Sequence, residues 1–380
     1  MIYDYDFIVI GAGIAGASIA AHLAEHASVL LLEMEDQPGY HSTGRSAALF
    51  LRTYGNSVVR GLTRASHPFF YDPPAAFTST PLVTPRSILI TARPGQEASF
   101  EAFTHSIDPE DHFDLVTADQ AREAFPLLKT DDLVAAALTH GPSDIEVHEL
   151  HHGYLRMFKA RGGVLATSGG VQGLVRNGDN WTVATKIGGF TGSTIVNAAG
   201  AWAGEVGKMA SALDIGLRPL KRTAFLVEPP PGAQTAKWPL LYDVEDQFYL
   251  KPDAGLLLIS PADETLSEPG DVQADELDIA IGVDRVEQAT TLQVRRISHR
   301  WAGLRSFVAD SSPVVGYDPI QPGFFWLAGL GGFGIQTAPA LSNIAARLAL
   351  GQDAGPALAD AGVTANAIGP HRLITAPAIA

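Results

Sequence analysis

The chain has no cysteine in its 380 residues, which removes disulfides, thiolate metal ligands and a cysteine nucleophile together. It is short of positive charge: 26 Lys and Arg against 41 Asp and Glu leave a formal net charge of −15. A surface of that sign has no basic face from which counterions could be released, so neither nucleic acid nor an anionic membrane surface is an expected partner. Long apolar runs are missing too, and no stretch has the length and continuity of a membrane span. The apolar run near the start follows Asp4 and Asp6 rather than Lys or Arg and is broken by glycines, unlike a secretion signal. A cytoplasmic location is therefore expected. Apolar residues are plentiful at 46%, enough for a large core and about two domains.

The most informative stretch is Asp6 to Gly16, DFIVIGAGIAG, closing at Leu30-Leu31-Leu32-Glu33. Phe7 to Ile10 predicts a buried parallel strand, and Ile14, Ala17, Ala21 and Ala24 fall at helical spacing. Between them Gly11 permits a tight turn, Gly13 lets backbone approach a diphosphate, and Gly16 lets helix and strand pack closely. A diphosphate then meets the free N–H groups of the helix start. Glu33, ending the second strand, has the chemistry to accept hydrogen bonds from a ribose diol. This is the pattern of an adenine-dinucleotide site, with NAD and FAD both open at this point.

The loop Gln37 to Ala48 offers the hydroxyls of Ser42, Thr43 and Ser46 and the cation of Arg45 beside the expected diphosphate, and is expected to run into a helix. Helices are predicted at Ser57 to Phe70, Gln96 to His105 and Asp144 to Arg161, with a strand at Arg86 to Ala92. Within Asp144 to Arg161, His148-Glu149-Leu150-His151-His152 matches HExxH, but no third ligand is placed and a surface helix is the better account, so no metal is expected. Val164 to Val175 is expected as one strand, with Trp181 to Lys186 and Phe190 to Val196 completing a sheet. That leads into Asn197 to Ala203, where Gly200 brings backbone close to something flat. From Leu217 the texture becomes antiparallel: Lys221 to Glu228, then a hairpin of Phe248 to Lys251 with Leu256 to Ser260, then a helix from Glu276 to Leu292. The sheet's inward face is expected to hold substrate.

Phe324 to Ala328 and the glycine-rich turn Gly331 to Gly334 open a second strand–glycine–helix unit. Its helix N-terminus suits a developing negative charge. A reduced isoalloxazine carries such a charge at its N1–C2=O edge, whereas a reduced nicotinamide is neutral, which favours FAD.

Together GAGIAG, HSTGRSA, NAAGAW, WAGLRSF and GGFGIQT resemble the D-amino acid oxidase/glycine oxidase superfamily of FAD enzymes, in order and at near-matching spacing from Asp6 to about Leu350. Within it the pattern is most similar to the bacterial D-arginine dehydrogenases. The resemblance implies a mixed α/β fold: a Rossmann-like FAD-binding domain from 1–84, 143–216 and 300–360, interleaved with a substrate domain from 85–142 and 217–299 on a largely antiparallel sheet, and a tail at 361–380. It implies FAD contacts, without a covalent bond, at Ala15, Glu33, Met34, Ser42, Thr43, Gly44, Arg45, Ser46, Ala47, Ala48, Leu49, Val171, and Gly331, Gly332, Phe333, Gly334, Ile335 and Gln336. It places the amino-acid substrate at Arg305, Arg222, Tyr54, Tyr249 and the Gly332 backbone. Arg305 can grip a carboxylate bidentately, with the phenols adding charge-assisted hydrogen bonds.

Two departures bear on specificity. Where the D-arginine dehydrogenases carry a glutamate for the distant cation this chain has Ile88, and where they carry a histidine it has Leu49. An unpaired buried guanidinium is costly, so a small or apolar side chain is expected rather than arginine or lysine. The implied reaction is oxidative deamination of a D-amino acid: hydride passes from Cα to flavin N5, and the imino acid hydrolyses to a 2-oxo acid and ammonia. The electron acceptor, oxygen or a quinone or other carrier, is left open. Oxidation of a secondary-amine amino acid of the sarcosine, glycine or proline type is the alternative, and a non-catalytic flavin-binding subunit a further one.

Overall fold

The computed structural model describes residues 4–107 and 111–374. A parallel core runs in the order Val164–Ala166, Val29–Leu32, Asp4–Ile10, Gly188–Asn197, Phe324–Ala328. Both faces of this sheet are covered, which is why its strands are continuous apolar runs rather than alternating ones. Phe7 and Val9 point into one core cluster with the helices Ile14–Leu23, Val147–Ala160 and Gly334–Ala349, and Ile8 and Ile10 into the other, against Trp181, Val206 and Trp326.

The second sheet is mixed and mainly antiparallel. Its strands follow the order Thr265–Leu266, Arg218–Val227, Leu256–Ser260, Tyr249–Asp253, Leu240–Asp243, Ile88–Ala92, Ala135–Thr139, Phe113–Leu115. Leu89 faces the helices Glu276–Ala289 and Ala118–Ala124 through an outer core, while Ile88, Ile90 and Leu240 face inward, where Leu49, Tyr242 and Tyr249 join them. The eleven-residue strand Ile297–Phe307 pairs with Arg218–Val227, so the chain is still in this sheet at residue 300.

Several local expectations are corrected. No helix follows Ala48: the chain turns with Ala48 at φ +25° and enters the short strand Leu49–Phe50, paired with Ser143–Ile145. That pairing also takes the first residues of the expected Asp144 helix, which starts at Val147. Val164 to Val175 is two strands, because Ser168 to Gly170 turns the chain beneath Glu33 and Glu35. Ala361, Val363 and Ile368 are buried in the first core, so the start of the expected tail is packed structure, while 375–380 lie outside the described residues.

Candidate active site

At the carboxyl ends of the parallel strands the chain builds its turn almost without clearance. Gly11 has φ +98°, and a Cβ there meets the Ala198 carbonyl oxygen at 2.5 Å. At Gly16 the intruder is the Gly11 carbonyl oxygen, 1.8 Å away. These two glycines therefore serve backbone packing, as expected. Of the N–H groups at this turn, Ala12 donates to Glu33 Oε2 at 2.8 Å and Ile14 to Thr43 Oγ1 at 2.9 Å. Glu33 Oε1 also accepts from the Glu35 N–H at 3.0 Å. The Glu33 carboxylate thus holds the turn and keeps further lone pairs for a diol. Gly169 donates to the Glu33 carbonyl at 2.7 Å, which brings Gly170, the residue before Val171, against Met34.

Arg45 is tied to distant segments of the chain. Its Nη1 donates to the carbonyls of Ala302 at 2.9 Å and Val272 at 3.2 Å, and its Nη2 pairs with Asp271 at 2.5 Å. These contacts fix the loop against the second sheet, while Arg45 still lines the cavity between the two sheets. Ser42 acts likewise, donating to the Leu304 carbonyl at 2.6 Å. Gly44 closes the turn by donating its N–H to the Gly39 carbonyl at 2.8 Å.

Between the two sheets lies a cavity of about 390 Å³. Gly13, Ala15, Ser42, Thr43, Arg45, Ser46, Ala47, Ala48, Gly200, Gly331, Gly334, Ile335 and Gln336 line it on the side of the glycine turns, and Leu49, Ile88, Tyr54, Tyr249, Arg222, Arg305 and Gly332 elsewhere. Gly11, Gly16, Glu33, Met34, Val171 and Phe333 stand outside it, toward the adenosine end or behind the wall. Gln336 Oε1 accepts from the Leu51 N–H at 3.0 Å, yet its Nε2 is buried with no partner among the described residues. Ser306 Oγ and Thr139 Oγ1 share that condition and line the same cavity. Buried polar atoms without partners cost about 1–3 kcal/mol each, so these three side chains are candidates to turn toward a ligand in the cavity. Helix Gly334–Ala349 also starts at this wall, presenting N–H groups with no partner inside the helix.

The cationic side is dense. Glu264 Oε1 accepts from Arg222 Nη2 and Arg305 Nη1, each at 3.1 Å, so both guanidiniums converge on one point. Arg305 also donates to the Tyr54 hydroxyl at 3.3 Å and packs over Phe307. Burial pushes the Tyr54 phenol above its usual range, keeping it a neutral donor. Gly332 is needed for space: a Cβ there falls 2.6 Å from Arg305 Nε. Three neighbours were not anticipated from the sequence: Glu264, Tyr242 and Asp246, the last 3.5 Å from Arg222. Asp246 sits in a hydrophilic turn between two strands, where an acidic residue carries no signal of its own.

The HExxH residues do not act together. His148 and His152 stack at 4.0 Å on the helix surface. His151, only 3% exposed, instead donates from Nε2 to the Ala12 carbonyl at 2.8 Å, and burial lowers its pKa to about 4. No group of three or more His, Cys, Asp or Glu side chains suited to a metal occurs among the described residues.

A family profile described as FAD-dependent oxidoreductase (DAO) matches residues 6–348. The chain is 28% identical over 274 residues to the mitochondrial dimethylglycine dehydrogenase of Rattus norvegicus, an alignment that takes in 67% of this chain and 30% of that protein. It therefore spans under a third of that relative's length. In structure it resembles glycine oxidase from Geobacillus kaustophilus, with TM-score 0.78 and 21% identity, covering 92% of this chain and 96% of the other. L-Proline dehydrogenase from P. horikoshii gives TM-score 0.80 at 21% identity, covering 98% of both.

Proposed function

This chain belongs to the DAO family of FAD-dependent oxidoreductases, and from that premise we propose that it oxidises the C–N bond of a small amino acid whose carboxylate is gripped by Arg305. The observation that carries the reading is that Arg305, Arg222 and Tyr54 line one cavity, with Arg305 donating to the Tyr54 hydroxyl and both guanidiniums sharing the Glu264 carboxylate at its edge. FAD, when bound, supplies the two-electron acceptor; the chain's own residues fix the geometry. The Gly11 to Gly16 turn and the Ile14–Leu23 helix start would hold the diphosphate and Glu33 the ribose. Gln336 and the start of Gly334–Ala349 would hold the ring edge on which charge develops. Arg305 and Tyr54 then orient the substrate by its carboxylate, and orientation of that kind supplies much of the rate.

For the side chain we infer a small or apolar group on a D-amino acid. Leu49, Ile88 and Leu240 form an aliphatic wall, which offers no carboxylate to a guanidinium at the far end of a substrate side chain. A secondary or tertiary amine is the second reading, favoured by the names of the relatives, which act on dimethylglycine, glycine and proline.

Anaerobic bleaching of the holoprotein by D-, L- and N-methyl amino acids tests both. Arg305→Met should raise the dissociation constant of the preferred substrate by about 10²–10³, in the range for a desolvated charge pair. An unchanged constant places the carboxylate elsewhere.

A further inference from the structure

The proposed clamp accounts for the substrate's carboxylate and leaves its amine unassigned. Asp246 lines the same cavity, beside Arg222 at 3.5 Å, at the turn joining Leu240–Asp243 to Tyr249–Asp253. Its backbone is held at φ +55°, in the left-handed region, by the Asp246 N–H donating to the Asp243 carbonyl at 2.9 Å. Asp243 anchors the turn in turn, its buried Oδ1 accepting from the N–H groups of Glu245 and Gln247 at 3.0 and 3.2 Å. A non-glycine residue kept there is mildly strained, and such strain concentrates at functional positions.

We propose that Asp246 is the ammonium subsite and the proton acceptor of the reaction: it pairs with the substrate's ammonium while Arg305 holds the carboxylate, and takes the proton that must leave before the C–N bond is oxidised. This rests on the amino-acid reading above. The step balances without a further reagent: an N–H bond breaks, an O–H bond forms on the Asp246 carboxylate, and the electron pair stays on nitrogen. A pocket lined by two guanidiniums and the Asp246 carboxylate is complementary to a zwitterion. The charged and titratable groups facing Asp246 are Arg222, Arg305, Tyr54, Tyr242 and Glu264. Burial raises its pKa despite the two arginines, toward the range useful to a base near neutrality. Its side chain is 33% exposed, so the proton has a route to water.

The test uses the FAD-loaded protein and its Asp246→Asn variant, since asparagine tolerates the left-handed backbone as aspartate does. α-Aminoisobutyrate has no Cα hydrogen and binds without turnover; isobutyrate lacks the amine. The wild-type protein should prefer the aminated ligand by about tenfold or more, as for a hydrogen bond to a charged group. The variant should lose that preference and keep its isobutyrate affinity. With an oxidisable small amino acid, kcat/KM of the variant at pH 7 should fall by about 10²–10³ and recover as rising pH deprotonates the free substrate. Retention of the preference, an unshifted pH profile, or an equal loss for both ligands at every pH overturns the proposal. If no amino acid bleaches the wild-type holoprotein, the amino-acid reading fails and this proposal with it.

Discussion

Gly332→Ala isolates the substrate clamp from the fold. Gly332 is not held at positive φ, so alanine meets no backbone penalty, but its Cβ would lie 2.6 Å from Arg305 Nε and 3.1 Å from both Cζ and Nη2. Ordinary contact begins near 3.4 Å, so the guanidinium must retreat by roughly 0.8 Å, and it is a flexible side-chain end that can do so. That shift stretches the 3.1 Å link to Glu264 and the 3.3 Å link to Tyr54 past hydrogen-bond range. Displacement of a positioning group by about 1 Å costs on the order of 10²-fold in rate. We expect kcat/KM to fall by about 10–10² and the stability to denaturant to change by under about 1 kcal/mol. FAD content should be that of the wild type. Anaerobic stopped-flow reduction and a urea melt read both quantities. Wild-type kcat/KM in a folded, yellow Gly332→Ala protein refutes the idea that Arg305 needs this gap.

Gly16→Ala drives a Cβ to 1.8 Å of a carbonyl that cannot move, and should yield protein that is insoluble or colourless on purification. Gln336→Leu removes the acceptor for Leu51 N–H and the unpartnered Nε2; titration of apoprotein with FAD should show roughly tenfold weaker binding, in line with one or two lost hydrogen bonds. His151 is buried neutral with its pKa lowered to about 4, so below about 6.5 the unfolded chain binds a proton that the folded one refuses. The stability it contributes is complete above that pH and declines as pH falls toward 4. Between pH 7 and 5 the denaturation free energy should drop by roughly 2 kcal/mol from this group, and His151→Gln should flatten that slope. Ile88→Glu should bring measurable oxidation of D-arginine, seen in the same bleaching assay; none would show that this wall does not meet the side chain.

The parts of this architecture legible in the sequence are those set by backbone chemistry. The runs of Phe7 to Ile10 and Phe324 to Ala328, each followed by glycines and small residues, gave strand, turn and helix because only such residues fit there. Leu49, Ile88, Arg305 and Tyr54, far apart in the chain, line one cavity. What stayed hidden depends on where charges end up in space. Nothing in the sequence announces that Arg45 pairs with Asp271, more than two hundred residues on. His151 belongs to a row of surface-like histidines until the helix turns it beneath Ala12. Asp246 and Glu264 sit in polar turns, and acids are common in such turns. The strand Ile297–Phe307 was hard to see because its outer half is exposed and polar, while pairing across ten residues fixes it.

That strand carries Arg305, receives the side chains of Ser42 and Arg45 on its carbonyls, and at Ser306 bridges to Gly331. The anchor and the cofactor-side turn are thus read off a single ruler, and slipping it by one residue would turn Arg305 to the opposite face. If Arg305 is the substrate anchor proposed above, divergence toward new substrates has little freedom on this side. It is left to the far wall, where Leu49, Ile88 and Leu240 can be exchanged one at a time without moving the point at which the reaction is aimed.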